Sequence, residues 1–317
     1  MTDAEHSIEE ILQAETVDVE IDDYGFTGEG YVRLDDGWLS VPGALPGERV
    51  RVAVEDENDH PRRVFGQVSQ ILAPSEQRRD PLCGRDAECR GCQLRNLTIA
   101  EELRFKERTV REVIEKYADL AVEKQPDVEV ITPRPIRRGD AFRIRSRLTY
   151  GISDGEPTVG LVSPVRDELV PMYDCPALSG SARRLVTHIE TTLRGLHEPP
   201  PAHVRPGGEA DAAEAGISHV SVATPTFGRG LVDVVIDGVE DPESFLEMLH
   251  DERIEGFLDA LADRLPEDVG LSASGADERE YLKEPRRITL PLLDLKLVAG
   301  YEDWFPATIE PTEALYR

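Results

Sequence analysis

The chain of 317 residues has few cysteines, few aromatic side chains and far fewer basic than acidic groups. It holds 4 cysteines and 2 tryptophans, and its 36 basic and 63 acidic residues give a formal net charge of −27. No apolar run approaches the roughly 18 residues that a membrane-spanning helix needs, so we expect no membrane partner. Residues 1–10 are polar and acidic and lack the apolar core of a secretory signal, which predicts a cytoplasmic protein.

An excess of acid argues against a nucleic-acid partner, because phosphate binding depends on Lys and Arg. The acid is unevenly distributed along the chain. Residues 49–147 carry 21 basic against 18 acidic side chains, whereas the rest of the chain carries 15 against 45. We interpret the acidic remainder as a solvated surface, typical of a salt-adapted organism, and the middle of the chain as compatible with RNA.

The cysteines form a C-x5-C-x2-C pattern of Cys83, Cys89 and Cys92, with Cys175 about eighty residues downstream. Four thiolates suit either tetrahedral zinc or an iron–sulfur cluster. Only Cys89 and Cys92 form the close pair typical of zinc sites, so the spacing favours iron–sulfur and leaves zinc as the alternative. Two disulfides or four unrelated thiols are a further alternative, which the lack of a secretory signal disfavours.

The first part of the chain predicts a small β-barrel. Residues 16–75 contain five short segments in which apolar and polar residues alternate, separated by Gly- and Pro-rich turns, as in an OB-like barrel. Gly25, Gly28 and Gly30 lie between two of these strands with no helix after them, so they predict a hairpin rather than a dinucleotide-binding loop. Residues 1–15 are predicted to be an acidic N-terminal tail.

Residues 76–300 alternate helical and strand patterns, which predicts an α/β domain. Thr98 caps a helix that continues to about Asp119, with an apolar stripe and an opposite face of interleaved charges that we expect to face solvent. Further helices are predicted at residues 179–196, after Asp241 and at 254–265. Residues 197–216 are rich in Pro, Gly and Ala, which indicates a mobile loop.

Residues 142–150 place three arginines on one face of a predicted strand: Arg143, Arg145 and Arg147 alternate with apolar residues, and Arg137 and Arg138 precede them. Guanidinium forks on a rigid strand match phosphate oxygens, so this face is a candidate RNA-binding surface. Ion pairs with acidic residues of a neighbouring strand are an equally weighted alternative.

Together these segments resemble the RNA uracil-5-methyltransferases that combine a TRAM domain, a four-cysteine iron–sulfur domain and a methyltransferase domain. V-P-G-A-L-P-G-E-R-V at 41–50 resembles the TRAM signature, and residues 81–94 resemble the cluster motif. F-R-I-R at 142–145 and D-C-P-A-L at 174–178 resemble the central sheet and its fourth ligand. The resemblance implies a 4Fe–4S cluster on the four cysteines, an RNA-holding barrel and a structured ribosomal or transfer RNA as partner.

The sequence departs from the family pattern at residues 304–316, where Pro306 and Thr308 stand in place of a Gln and an Asn. The family's Gly-rich cofactor loop, Asp-Pro-Pro-Arg segment and catalytic cysteine are not found. We therefore expect an α+β fold with no complete Rossmann methyltransferase domain, a stub at 301–317, and no catalytic residue. S-adenosylmethionine would bind only through a separate catalytic chain, a methyltransferase subunit. The alternative is a stand-alone RNA-binding protein with a structural or redox-sensing cluster.

Overall fold

The computed structural model describes residues 7–55, 62–81, 83–85, 89, 91–118, 143–153, 155–163, 168–203, 215–226, 229–285, 287–292 and 295–300. The chain divides into two compact units. Unit 1 comprises residues 1–81 and 92–132, and unit 2 comprises residues 82–91 and 133–317. The stub at 301–317 and most of the predicted mobile loop, residues 204–214, lie outside the described residues.

Unit 1 is built on a six-stranded sheet in the order β1-β5-β6-β4-β3-β2, in which only β4 and β6 run parallel. Its strands are β1 Thr16–Glu20, β2 Asp23–Tyr24, β3 Gly30–Arg33, β4 Trp38–Val41, β5 Arg49–Glu55 and β6 Arg63–Ala73. The five predicted strands are present, and β2 is added to them because Asp23 and Tyr24 pair with β3. Alternate residues of β5, Val50 and Val52, are fully buried in the core of this sheet.

A short helix, α1 Ile8–Leu12, lies within the predicted tail. Ser7 caps it through a hydrogen bond from Glu10 N, and the Glu10 side chain accepts from Ser7 N, which satisfies two otherwise unpaired donors. Ile8 and Ile11 are buried with the apolar residues of the sheet. These two residues therefore fix part of the acidic N-terminal segment to the core of unit 1.

The second helix of unit 1, α2, spans Ile99–Tyr117 and begins as predicted at the Thr98 cap. Four ion pairs within the helix, such as Lys106–Glu102, confirm the predicted charged face. The predicted apolar stripe, however, is not buried. Of the helix residues only Phe105 belongs to the core, whereas four large apolar side chains are exposed: Ile99, Val110, Val113 and Tyr117.

Unit 2 contains a seven-stranded sheet in the order β13-β12-β11-β10-β7-β8-β9, with one parallel pair, β11 and β12. The strands are β7 Arg145–Ser153, β8 Glu156–Val162, β9 Leu169–Pro171, β10 Gly216–Thr226, β11 Arg229–Asp237, β12 Val269–Gly275 and β13 Glu278–Lys283. A separate hairpin pairs β14 Ile288–Leu292 with β15 Leu295–Ala299, and β14 lies against β10 and β11. The predicted hairpin around residues 227–230 is confirmed by the antiparallel pairing of β10 and β11.

The helices of unit 2 are α3 Gly180–Arg194, α4 Pro242–Leu249 and α5 Glu252–Arg264. Their starts follow the predicted caps: Ser179 accepts from Ala182 N, and Asp241 accepts from Ser244 N. Apolar residues of all three helices are buried together with one face of the sheet. A row of directly opposed residues on four adjacent strands shows which face this is: Leu148, Val220, Val234 and Ala273. Polar side chains lie on the opposite face of the sheet.

Candidate functional site

The face of the unit 2 sheet opposite to these helices, here called the polar face, carries a second row of opposed residues. Arg147 lies opposite Ser221, and Ser221 lies opposite Asp233. Asp233 in turn lies opposite Ser272. Directly opposed residues point to the same side of a sheet, so these four side chains form a polar line across β7, β10, β11 and β12. Nothing in the sequence of any single strand reveals this alignment.

Arg145 and Arg147 lie on β7 as predicted, and both are exposed, alternating with the buried Ile144 and Leu148. They line a groove of about 280 Å³ together with residues of β10, β11, β12 and β13 and with Gly300. The polar members of that groove are Arg145, Arg147, Ser221, Asp233, Ser274 and Arg279. Two guanidiniums on a rigid strand thus border an open groove, a geometry that can engage two phosphate oxygens or successive phosphates.

Asp233 lies at the floor of this groove and is only 6% exposed. Its carboxylate accepts hydrogen bonds from Ser272 Oγ at 2.5 Å and Ser274 Oγ at 2.9 Å, and from Arg279 Nη2 at 3.3 Å. Burial raises the pKa of Asp233, while these donors and the charge of Arg279 oppose the rise. The sequence signal for this network is a single Asp inside the apolar run of β11, which sequence reasoning missed.

His219 is the polar neighbour of Arg147 on the polar face. Arg147 Nη2 lies 3.3 Å from His219 Nδ1, and a guanidinium can only donate, so Nδ1 accepts this hydrogen bond. Burial and the adjacent Arg147 charge lower the pKa of His219, although Asp237 acts in the opposite direction. Within the described part of the chain, no carboxylate forms an ion pair with Arg147. The alternative of acid pairing from a neighbouring strand is therefore not realised there.

Arg143 is used differently from its two neighbours. It precedes β7 and forms an isolated bridge with Leu178: Arg143 N donates to Ala177 O at 2.8 Å, and Ser179 N donates to Arg143 O at 2.8 Å. Its guanidinium donates to the carbonyl of Gly91 at 2.7 Å. Of the three arginines predicted on one strand, Arg145 and Arg147 lie on β7 and Arg143 precedes it; RNA binding by all three stays a prediction. Arg137 and Arg138 lie outside the described residues.

The four cysteines are all described, are half-buried and form no disulfide. Cys89 and Cys175 pack against the core of unit 2. In unit 1, the Cys92 carbonyl accepts from Arg95. Thiol sulfurs are the donors that zinc and iron–sulfur clusters require, so the donor chemistry fits the predicted metal site. The described residues nevertheless contain no group of three or more His, Cys, Asp or Glu side chains already gathered as around a metal ion.

Among the described residues, no helix has the length and apolarity needed to cross a membrane.

Part of the chain is similar to proteins named as RNA methyltransferases. Residues 12–68 match the TRAM domain. The chain is 28% identical over 183 residues to the 23S rRNA (uracil(1939)-C(5))-methyltransferase RlmD of Vibrio campbellii, covering 57% of this chain and 40% of that protein. It is 33% identical over 190 residues to an uncharacterized RNA methyltransferase of Gloeobacter violaceus, covering 56% and 39%. The chain thus spans about two fifths of the length of these curated relatives.

Among solved structures, the chain matches the tRNA (uracil-54, C5)-methyltransferase of Pyrococcus abyssi, determined in complex with S-adenosyl-L-homocysteine. The TM-score is 0.60 at 16% identity, and the match covers 94% of this chain and 63% of that chain. At this identity the match shows a shared fold.

The predicted TRAM domain and the predicted homology to RNA (uracil-5) methyltransferases are confirmed by these comparisons. The predicted fold class is wrong. We expected a barrel and a central α/β domain without the methyltransferase domain, but the chain shares its fold over 94% of its length with a solved methyltransferase. The prediction relied on short missing motifs, and such motifs report individual site residues, whereas topology and apolar patterning decide a fold. A separate catalytic chain finds no support in the comparisons either.

Proposed function

We propose that this protein acts in the S-adenosylmethionine-dependent C5 methylation of uridine in a structured ribosomal or transfer RNA. Two observations support this proposal: the TRAM match at residues 12–68 and the similarity to proteins named as RNA uracil-5 methyltransferases. The methyl donor is proposed because the solved structure that shares the fold was determined with S-adenosyl-L-homocysteine. A cytoplasmic site of action remains a prediction from the sequence.

The polar face of unit 2 is the proposed RNA-binding surface, together with the TRAM sheet of unit 1. The observation that carries this assignment is Arg147, an exposed guanidinium whose described neighbour is a histidine of lowered pKa rather than a carboxylate. A cation beside a neutral imidazole keeps its full charge for a phosphate, whereas an ion-paired arginine would first have to exchange its partner. Arg145, two residues earlier on the same face, would bind a neighbouring phosphate.

The test is to replace Arg145 and Arg147 together with Gln and to measure RNA affinity as a function of salt concentration. Each lost phosphate contact should lower the slope of log affinity against log salt by about 1, so the double variant should lose about 2. The matched control is Arg253→Gln, an exposed arginine on α5, on the helix-covered side of the sheet. If the double variant keeps the wild-type slope, these arginines serve only contacts within the protein.

The enzymatic part of the proposal is tested separately, with labelled S-adenosylmethionine and total RNA. Transfer of label to RNA, recovered as 5-methyluridine after digestion, is the expected result. RNA binding without any label in 5-methyluridine would contradict the proposed activity while leaving the RNA-binding surface intact.

For the cysteines, we infer that Cys83, Cys89, Cys92 and Cys175 together hold one 4Fe–4S cluster, with zinc as the alternative metal. The inference rests on their spacing and on their half-buried side chains, which form no disulfide. A bound cluster would supply a rigid link between distant segments of the chain. Anaerobically purified protein should be brown, with iron and sulfide in about four equivalents each. A colourless protein with one zinc would overturn the iron assignment and keep the site.

A further inference from the structure

Arg85, two residues after Cys83, ties its own segment to the turn that carries Cys175. Its Nη1 donates to the carbonyl of Pro171 at 2.8 Å, and its Nη2 donates to Asp174 Oδ2 at 2.9 Å. The guanidinium carbon also lies 5.6 Å from the ring centre of Tyr173. One side chain therefore contacts three residues of the segment immediately before Cys175. The same guanidinium interacts electrostatically with Cys83.

Arg143 ties the other end of the cysteine segment to the residues after Cys175. Its guanidinium donates to Gly91 O, while its backbone is bridged to Ala177 and Ser179 on both sides of Leu178. Cys175 itself lies within the same turn, because Cys175 N donates to Met172 O at 3.1 Å. The two arginines thus hold residues 83–91 from both ends against one short stretch, residues 171–179.

Cys89 and Gly91, the described residues between these two tethered points, lie close to the core of unit 2. Cys89 N donates to Arg85 O at 2.9 Å, which closes a helical turn. At Gly91, a Cβ atom would lie 2.8 Å from Leu161 Cδ1 of β8 and 3.2 Å from Cys89 Sγ. Such close approach leaves no room for a larger side chain, so the Cys89 thiol is held near β8. Cys89 and Cys175 pack against the same core.

We propose that Arg85 and Arg143 are positioning residues that hold the segment carrying Cys83 and Cys89 against the turn carrying Cys175 before any metal binds. This role in metal binding rests on the metal site proposed above, whereas the hydrogen bonds of the two arginines do not depend on it. About eighty residues separate Cys92 and Cys175 in sequence, and closing a loop of that length in a flexible chain is entropically unfavourable. The two guanidiniums close it through charge-assisted hydrogen bonds: Arg85 uses two donor atoms of its fork, and Arg143 donates to Gly91 O.

The proposal predicts how fast two thiols of the metal-free protein can be joined by a short bismaleimide. Trypsin cleaves after Arg85 and Arg90, which places Cys83 and Cys89 in separate peptides and lets mass spectrometry identify each linked pair. In the folded wild type, linkage of Cys83 or Cys89 to Cys175 should be at least about tenfold faster than in denaturant, because the folded chain raises the effective concentration of the second thiol.

The variants are Arg85→Lys and Arg143→Lys, which keep the charge and, at position 85, the tryptic site. At position 85 a single ammonium would replace two separate donor atoms, Nη1 and Nη2, and at both positions lysine reaches less far than arginine, so most of the rate advantage should disappear. The matched control is Arg51→Lys, since Arg51 also donates twice to a carboxylate, that of Asp18 in unit 1. Linkage in Arg51→Lys should match the wild type. Wild-type linkage rates in both Arg85→Lys and Arg143→Lys would overturn the proposal.

A second variant guards against loss of folding. Asp174 is about half exposed, so Asp174→Ala removes the side-chain acceptor of Arg85 at little cost to the core, and it should reduce the linkage of Cys83 but not that of Cys89. Equal linkage of Cys83 in this variant and the wild type would also contradict the role of Arg85. Metal content is measured in parallel: wild type that binds neither iron nor zinc would refute the proposed cluster, while the linkage rates would still decide the roles of the arginines.

Discussion

The ion pair between Glu48 and Arg78 in unit 1 offers a sharp test of how the TRAM-containing unit is stabilised. Glu48 is fully buried, and Arg78 is 14% exposed. The carboxylate accepts from Arg78 Nε at 2.5 Å and Nη2 at 2.7 Å, and also from the backbone of Leu45 at 2.9 Å and Ser75 at 3.1 Å. Four donors converge on one carboxylate, and together they fasten residues 75–78 to the end of the turn before β5.

Replacing Glu48 with Gln keeps the shape of the side chain and removes its charge. Breaking one partner of a buried pair costs about 3–5 kcal/mol, because the remaining charge stays buried without compensation. The low end of that range applies here, since Arg78 also donates to Gly43 O and retains some exposure. We therefore expect a loss of about 3 kcal/mol from the free energy of unfolding of unit 1.

The assay is urea unfolding followed by tryptophan fluorescence. The two tryptophans are Trp38, on β4 of unit 1, and Trp304, so a Trp304→Phe background makes Trp38 the sole reporter of unit 1. With a typical urea dependence of about 1–3 kcal/mol per molar, the midpoint should fall by about 1–3 M. The control is Asp18→Asn, which breaks the exposed pair with Arg51 and should cost less than about 1 kcal/mol.

The reasoning would be refuted if Glu48→Gln and Asp18→Asn lowered the free energy of unfolding of unit 1 by the same amount. A double variant sharpens the test further. Glu48→Leu with Arg78→Met removes both charges, so it should be considerably more stable than either single replacement, as found for other buried pairs replaced by apolar groups. A double variant as unstable as Glu48→Gln would show that the hydrogen bonds to the backbone, rather than the buried charge, decide the loss.

Three further predictions concern unit 2. Gly160→Ala should destabilise unit 2, because the added Cβ atom would lie 2.2 Å from Val170 O. Gly256→Ala, in helix α5, should stabilise unit 2 by about 0.5–1 kcal/mol, because its Cβ atom would have no other atom within 4 Å. Urea midpoints that shift in the same direction would contradict this pair of predictions. Because the pKa of His219 lies below its unfolded value of 6.5, stability present above pH 6.5 should fall as the pH falls below it, and His219→Asn should flatten that part of the pH profile of the unfolding midpoint. Cys175→Ser should lower bound iron or zinc per chain, and full retention would exclude Cys175 as a ligand.

Local signals in the sequence predicted the ends of the helices well. Thr98, Ser179 and Asp241 begin their helices as expected, because a capping side chain acts within its own first turn. Apolar periodicity, by contrast, failed to predict which side chains are buried. The apolar stripe of α2 predicts a helix, but periodicity does not show what packs against the stripe, and Val110 and Tyr117 are exposed.

The candidate site was predictable only where its residues lie close together along the chain. Arg145 and Arg147 follow from the alternation of one strand. Asp233 and Ser272 join them only through strand pairing, which no single segment encodes. The contacts of Arg143 with Gly91 and Leu178 were not predictable, because they join residues that are distant in sequence. The fold class failed for a related reason, since missing motifs were treated as a missing fold.

The division of the chain into its two units affects every attempt to separate them. The polypeptide passes from unit 1 to unit 2 after residue 81, returns after residue 91 and leaves again after residue 132. A single cut therefore cannot release either unit whole: a fragment ending at residue 81 lacks α2, and one beginning at residue 92 lacks Cys83 and Cys89. On the ribosome, unit 1 cannot be completed until residue 132 has emerged. By then the first ten residues of unit 2, 82–91, have already been synthesised, but the sheet of that unit has not.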